Sequence, residues 1–223
     1  MPLTTTRRAG LVDQVIDQMR QAISTGDWAV DQRIPPEPEL VTALGVGRNT
    51  VREAVRALAH AGLLEVRQGD GTFVRATSEI SGALRRMCGP ELREVLQVRR
   101  TLEVEGARLA ATQRTADDLA ELADALAARN AAVAGRQWET AVDADTRFHQ
   151  TVVRCSHNGL LTQLYQGLTE VVRASVAATA EQTIPTWNID HDDLLAAIRD
   201  GDPDRAAHEA GAFLDELLVE TTP

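Results

Sequence analysis

Lysine is missing from the 223-residue chain, and all 23 basic residues are arginine. With abundant alanine, that is the signature of a GC-rich coding sequence. Cysteine is nearly missing as well, with only Cys88 and Cys155 present. Their separation fits no metal or redox spacing. A disulfide framework and a zinc finger are therefore excluded, and two buried thiols in a reducing compartment are expected. No apolar run approaches the ~20 residues a membrane span needs, and no signal-peptide pattern opens the chain, so a cytoplasmic protein without a membrane partner is expected. Repeats and low-complexity segments are also lacking. The first third has no net charge. Residues 1–75 hold nine Arg and nine Asp or Glu, whereas residues 76–223 hold fourteen Arg and twenty-four acids and account for the whole −10. An acidic surface repels phosphate, so a polyanion could only be met by the first part.

The stretch Ile34 to Leu64 is the most organised of the chain. Pro36 suits a first helical position, where its missing N–H costs nothing. Glu37 and Glu39 follow in the first turn, where negative charge complements the helix dipole. Leu40, Val41 and Leu44 share a face, and Gly45 ends the helix. A second helix is expected from about Arg48 to Ala61, with Val51, Ala54, Val55, Leu58 and Ala59 inward and Gly62 as its stop. On its polar face Arg48, Arg52 and Arg56 recur every four residues, and Asn49 and Thr50 stand at its start. Arg and Asn make bidentate contacts to guanine and adenine edges, and a helix N-terminus accepts a phosphate. The pattern fits the second helix of a helix-turn-helix or, taken alone, a solvated amphipathic helix. Leu63–Arg67 and Thr72–Arg75 then read as two strands around the turn Gln68-Gly-Asp-Gly71, a small wing. Before these, Leu11 to Thr25 forms a helix with the stripe Leu11, Val12, Val15, Ile16, Met19 and Ile23, and Trp28 is expected on the same core.

This part resembles the N-terminal domain of the GntR family of bacterial transcription regulators. The resemblance rests on Pro35-x-Glu-x-Glu-Leu40, Gly45-Val-x-Arg-x-Thr-Val-Arg-Glu-Ala54, Leu58, Gly62-Leu-Leu64 and Gly69-x-Gly-Thr-Phe-Val74. It implies that Arg48, Asn49, Thr50 and Arg52 face the DNA groove and that Gln68 and Gly69 form the wing tip. Two positions depart from the pattern. Pro38 stands where relatives often carry a phosphate-binding arginine, and Gly47 replaces the usual Ser or Thr, which shifts weight to Arg33 and the N-terminal arm.

Beyond a boundary placed at 76 the periodicity is helical throughout. Helices are expected from Pro90 to Gln113, after the capping box Thr115–Asp118 to Ala134, from Gln137 to Cys155, from Gly159 to Glu181, from Asn188 to Arg199 and from Pro203 to about Glu220. Arg99-x-x-Leu-Glu103, Asp145-x-x-x-His149, Asn158 and His191-x-x-Leu-Leu-Ala-Ala-Ile-x-x-Gly-Asp202 resemble the FadR-like branch of the family, whose effector domain is called FCD. Asp145 and His149, four apart, emerge on one helix face. With His191 they offer an oxygen and two nitrogens to Zn, Ni or Mn, or form a hydrogen-bonded polar group. The family's further late histidine aligns with Phe213. Arg99 either clamps an effector carboxylate, as the resemblance implies, or pairs with Glu103. Arg173 and Asn158 are further effector candidates.

The expected architecture is mainly α. Residues 1–76 form a winged helix-turn-helix of three helices and a two-stranded wing. Residues 77–223 form an all-helical antiparallel bundle of six or seven helices for effector binding and dimerisation. The expected function is that of a transcription regulator, a repressor controlled by a small carboxylate, acting as a homodimer on a palindromic operator and not as an enzyme. The competing reading is a metal-dependent hydrolase built on Asp145, His149 and His191.

Overall fold

The computed structural model describes residues 10–87, 92–178 and 191–220, but not the side chains at 92, 173–178, 213, 216, 217, 219 and 220. Expectations for Pro90, Cys88, the end of the helix at Glu181 and the start at Asn188 lie outside the described residues. The chain divides into two compact units, Met1–Met87 and Cys88–Pro223.

In the first unit α1 (Leu11–Ser24), α2 (Glu37–Leu44) and α3 (Arg48–Ala61) precede β1 (Leu64–Arg67) and β2 (Gly71–Val74). The α1 stripe buries Val15, Met19 and Ile23, while Leu11 stays half exposed at its first turn. These side chains meet Leu40 of α2 and Val51, Ala54, Val55 and Leu58 of α3, and Trp28 packs against the same cluster. Pro36 is the N-cap of α2 rather than its first helical residue, and Pro38 takes the early helical position. Both suit proline, because neither N–H is needed by the helix. Gly45 closes α2 at φ 65°, and Gly62 closes α3 at φ 86°, left-handed positions that glycine enters without strain. The strands pair antiparallel, with Leu64 opposite Val74 and Arg67 opposite Gly71.

The segment before α2 adds a third edge to the wing. Asp31 N donates to Val74 O at 2.9 Å, and Ile34 N donates to Thr72 O at 2.9 Å. Past residue 76, where the sequence reads as a linker or the start of a short connecting helix, the first unit continues in α4 (Glu79–Met87), which packs on α3. Arg20 of α1 reaches Glu79 of α4 at 2.5 Å.

Six helices make up the described second unit: α5 (Leu92–Gln113), α6 (Ala116–Ala134), α7 (Trp138–Arg154), α8 (Gly159–Ala178), α9 (Asp192–Asp200) and α10 (Pro203–Glu220). α5 packs against α7, α8, α9 and α10, and α6 lies along α7. The small faces of α5 (Ala107, Ala110, Ala111) let Phe148, Leu122, Leu126 and Ile198 close around it. Thr115 caps α6 through a reciprocal pair with Asp118. No described helix is long and apolar enough to cross a membrane.

Candidate functional sites

On the first unit, Arg48 and Asn49 are exposed at the start of α3, Thr50 is half buried, and Arg52 is exposed one turn later. Gly47 is the N-cap and supplies no side-chain bond, so the first α3 N–H groups point outward without a capping partner. Arg52 is braced from α2, with its Nη2 3.1 Å from Glu37 Oε2 and its Nε 3.4 Å from Oε1. Arg48 and Arg56 form no ion pair with described residues.

The wing uses its other arginines on itself. Arg67 lies 4.2 Å from the centroid of the Phe73 ring and pairs with Glu65, and Arg75 pairs with Asp31. Gln68 and Gly69 form the exposed tip, with Gly69 at φ 79°. Arg33 lies along the wing, where a Cβ on Gly71 would come 2.5 Å from its Nε. Arg33, Gln68 and Gly69 also line one cleft with Ile34, Pro36 and Glu37. The unit thus places Arg33, Arg48, Asn49, Arg52 and the wing tip on an accessible surface rich in guanidinium groups.

The second unit brings Asp145, His149 and His191 together. Asp145 and His149 lie one turn apart on α7, and His191 is the N-cap of α9. His149 Nε2 and His191 Nε2 are 3.0 Å apart, and His191 Nε2 lies 3.4 Å from Asp145 Oδ1. One potential ligand atom from each residue falls within 4.8 Å of the others. Both histidines are buried, and the Phe148 ring stands beside them at 5.5 and 5.4 Å.

Around this cluster lies a layer that spacing alone did not reveal. Glu103 of α5 is 1% exposed, with Oε2 3.0 Å from His149 Nδ1. That oxygen has no well-directed hydrogen bond, so the contact is one of ion-pair range. It is best met by an Nδ1 proton, which leaves His149 Nε2 as a lone pair facing the cluster. Glu103 Oε1 accepts from Tyr165 Oη and from Arg99 Nε, both at 2.5 Å. Gly106 permits this approach of α5 to α7, since a Cβ there would meet Val153 Cγ2 at 2.9 Å. Arg129 of α6 completes the layer, donating from Nε to Asp145 Oδ1 at 2.8 Å.

Electrostatics follow from the layer. Burial works to raise the Glu103 carboxyl, but Arg99 and His149 overcome it and hold the group at about 2. For Asp145 burial is likewise outweighed, by the two histidines and Arg129, and the carboxyl stays well below its usual range. Burial pushes the His191 imidazole down, toward the neutral form that binds metals.

Other expected site residues sit differently. Arg99 takes the second of its two readings, an ion pair with Glu103, and lies beside rather than within the Asp145 cluster. Asn158 is exposed, and its Oδ1 accepts from Leu161 N to cap α8, because a polar side chain at a helix start is drawn to the unpaired N–H groups there. Arg173 belongs to α8 and Phe213 to α10, but their side chains lie outside the described residues. Cys155 is buried, and burial with nearby Asp118 pushes its thiol up to about 12, as suits an inert packing residue.

The donor set fits a divalent ion in residue type and convergence. The two histidine nitrogens, 3.0 Å apart, are within hydrogen-bond range of one another and near enough to serve one ion.

Known proteins match both units. The FCD domain matches residues 94–216, and the family described as bacterial regulatory proteins, gntR family, matches residues 11–74. The chain is 30% identical to the galactonate operon transcriptional repressor of Escherichia coli strain K12, over 89% of this chain and 91% of that protein. It is 31% identical to the HTH-type transcriptional regulator LutR of Bacillus subtilis strain 168, over 70% of this chain and 73% of that one. A solved structure, Streptococcus agalactiae GntR, superposes with a TM-score of 0.54 at 26% identity, covering 93% of this chain and 99% of the other. These domains and relatives are those of transcription regulators and give the hydrolase reading no support. The chain belongs to the gntR family of bacterial DNA-binding transcription regulators, in the branch that carries an FCD domain.

Proposed function

We propose that the protein is a homodimeric repressor whose hold on a palindromic operator is released by a small carboxylate, bound at a divalent ion in the FCD domain. The reading rests above all on the convergence of the half-buried Asp145 with the buried His149 and His191. Two buried histidines beside a half-buried carboxylate, with His149 and Asp145 each already oriented by a neighbour, form a set of donors held ready for an ion. The cluster fits Zn, Ni or Mn, with an oxygen and two nitrogens from the protein and the remaining positions open to a ligand. When bound, the ion would supply Lewis acidity toward a carboxylate oxygen. The chain's own part is to hold the donors, with Glu103 orienting His149 and Arg129 holding Asp145.

The buried charges favour an anionic effector. Arg99 and Arg129 are balanced by Glu103 and Asp145, so a divalent ion leaves two positive charges for a ligand to neutralise. Galactonate, named in the operon of one relative, is a hydroxycarboxylate of the kind that chelates such an ion. Arg99, one residue away from the cluster through Glu103, is with Arg173 the candidate clamp for the effector's carboxylate. Asn158, as a helix cap, is left as the weakest member of that set.

DNA contacts are assigned to Arg48, Asn49, Thr50 and Arg52 in the major groove, to Gln68 and Gly69 at the minor groove, and to Arg33 at the backbone. The two-fold arrangement follows from the few base pairs that one α3 can read. Fluorescence anisotropy on the promoter fragment upstream of the gene tests the whole reading. With Zn, Ni or Mn present, a panel of hydroxycarboxylates that includes galactonate should contain at least one compound that weakens operator binding about ten-fold or more. Asp145→Ala should abolish that response while keeping operator affinity. A response that persists in Asp145→Ala would put the effector elsewhere.

A further inference from the structure

The oxygen of Asp145 nearest to His191 is already taken. Arg129 Nε donates to Asp145 Oδ1 at 2.8 Å, and the same Oδ1 is the atom 3.4 Å from His191 Nε2. Arg129 enters from α6, its side chain is 4% exposed, and its Nη1 also donates to Asn130 Oδ1 at 3.1 Å. A residue that merely orients a ligating carboxylate usually holds it from the side away from the ion. Here the guanidinium and His191 meet at the same oxygen, Oδ1, which leaves Oδ2, 3.8 Å from His149 Nε2, as the other oxygen of the carboxylate. A buried guanidinium also needs its counter-charge. An ion that draws on Asp145 must share the carboxylate with Arg129, and it adds two positive charges where Arg99, Arg129, Glu103 and Asp145 already balance.

We propose that Arg129 is a built-in competitor for the metal: its guanidinium takes the place of a cation at Asp145 and holds the affinity for a bare divalent ion low. Weak retention of the bare ion would make occupancy depend on an accompanying anion, so the site would respond to the ion and the carboxylate together. The inference rests on the metal reading above.

The test measures Zn binding by isothermal titration calorimetry with the full-length, metal-stripped protein and no carboxylate present. The proteins compared are wild type, Arg129→Gln, Arg129→Met and Arg129→Lys. Gln keeps a donor for Asp145, whereas Met fills the guanidinium's volume without one, so loss of fold in either leaves the other to decide. Thermal unfolding of the metal-free proteins shows which are folded. The expected result is Zn binding at least ten-fold tighter in the folded neutral variants. Arg129→Lys, which restores the charge, should stay within about three-fold of wild type. Detectable binding by a neutral variant alone, with none by wild type, supports the same conclusion. Equal or weaker binding by the neutral variants overturns the proposal in favour of an orienting role and leaves the metal reading standing. No binding by wild type or by any folded neutral variant overturns both.

Discussion

Arg48 and Arg52 have the same side chain one turn apart, and the structure gives them different surroundings. Arg52 is braced by Glu37, so its guanidinium is held over the junction of α2 and α3. Arg48 has no ion pair with described residues and stands beside the uncapped first turn of α3. Free to reach a base edge, Arg48 is the better candidate for direct readout. Arg52 is suited to a fixed contact whose orientation Glu37 sets. Arg48→Ala should lower affinity for the operator by about 1–3 kcal/mol, with affinity for random DNA changing much less. Anisotropy titrations on both DNAs at physiological salt check this. An equal loss on both would make Arg48 a phosphate contact. His149 and His191 differ in the same local way. His149 is oriented from behind by Glu103, while His191 is the N-cap residue of α9.

Helix ends were the most legible elements. Gly45, Gly62 and Gly201 close α2, α3 and α9 in left-handed conformations, and Thr115 with Asp118 opens α6. The reason is that caps are local chemistry and leave local sequence signatures. What crosses between elements was not readable. The stretch that holds α4 reads equally as a linker or as the start of a short connecting helix, because the packing that decides between them depends on Gly62 and Gly82 meeting across α3 and α4. A Cβ on Gly82 would fall 2.9 Å from Ala61 O and from the carbonyl of Gly62, and a Cβ on Gly62 would meet Gly82 O at 3.1 Å and the Arg86 guanidinium. Likewise, Asp145, His149 and His191 were found from spacing and resemblance. Arg129 and Tyr165 were not, since their roles exist only where α6 and α8 come against α7 and α5. Glu103 was seen only as a neighbour of Arg99. The contact between Gly62 and Gly82 sets an expectation of unusual sign. Alanine for glycine inside a helix ordinarily stabilises by about 1 kcal/mol, but Gly82→Ala should lower the urea midpoint of the full-length protein. Gly45→Ala has open space around it and should lose only the left-handed backbone term of about 1–2 kcal/mol. A rise in midpoint for Gly82→Ala would show that α4 does not need that close approach.

Across the whole molecule, charge is divided by task. The first unit is nearly neutral and carries Arg48 and Arg56 on α3 and Arg33 beside the wing without ion pairs to described residues, whereas the acid excess lies in the second. That division lowers non-specific attraction to DNA, since the acidic second unit repels phosphate and the first has no net charge to attract it. Specific affinity must then come from several contacts acting together, which the proposed two-fold dimer on a palindrome would double. The most direct measurement is fluorescence anisotropy of full-length protein on two labelled duplexes at physiological salt, one carrying a palindrome from upstream of its gene and one with that sequence scrambled. The account predicts saturation at two chains per duplex on the palindrome and a preference over the scrambled duplex of roughly 10³-fold or more. Equal affinity for the two duplexes would contradict it.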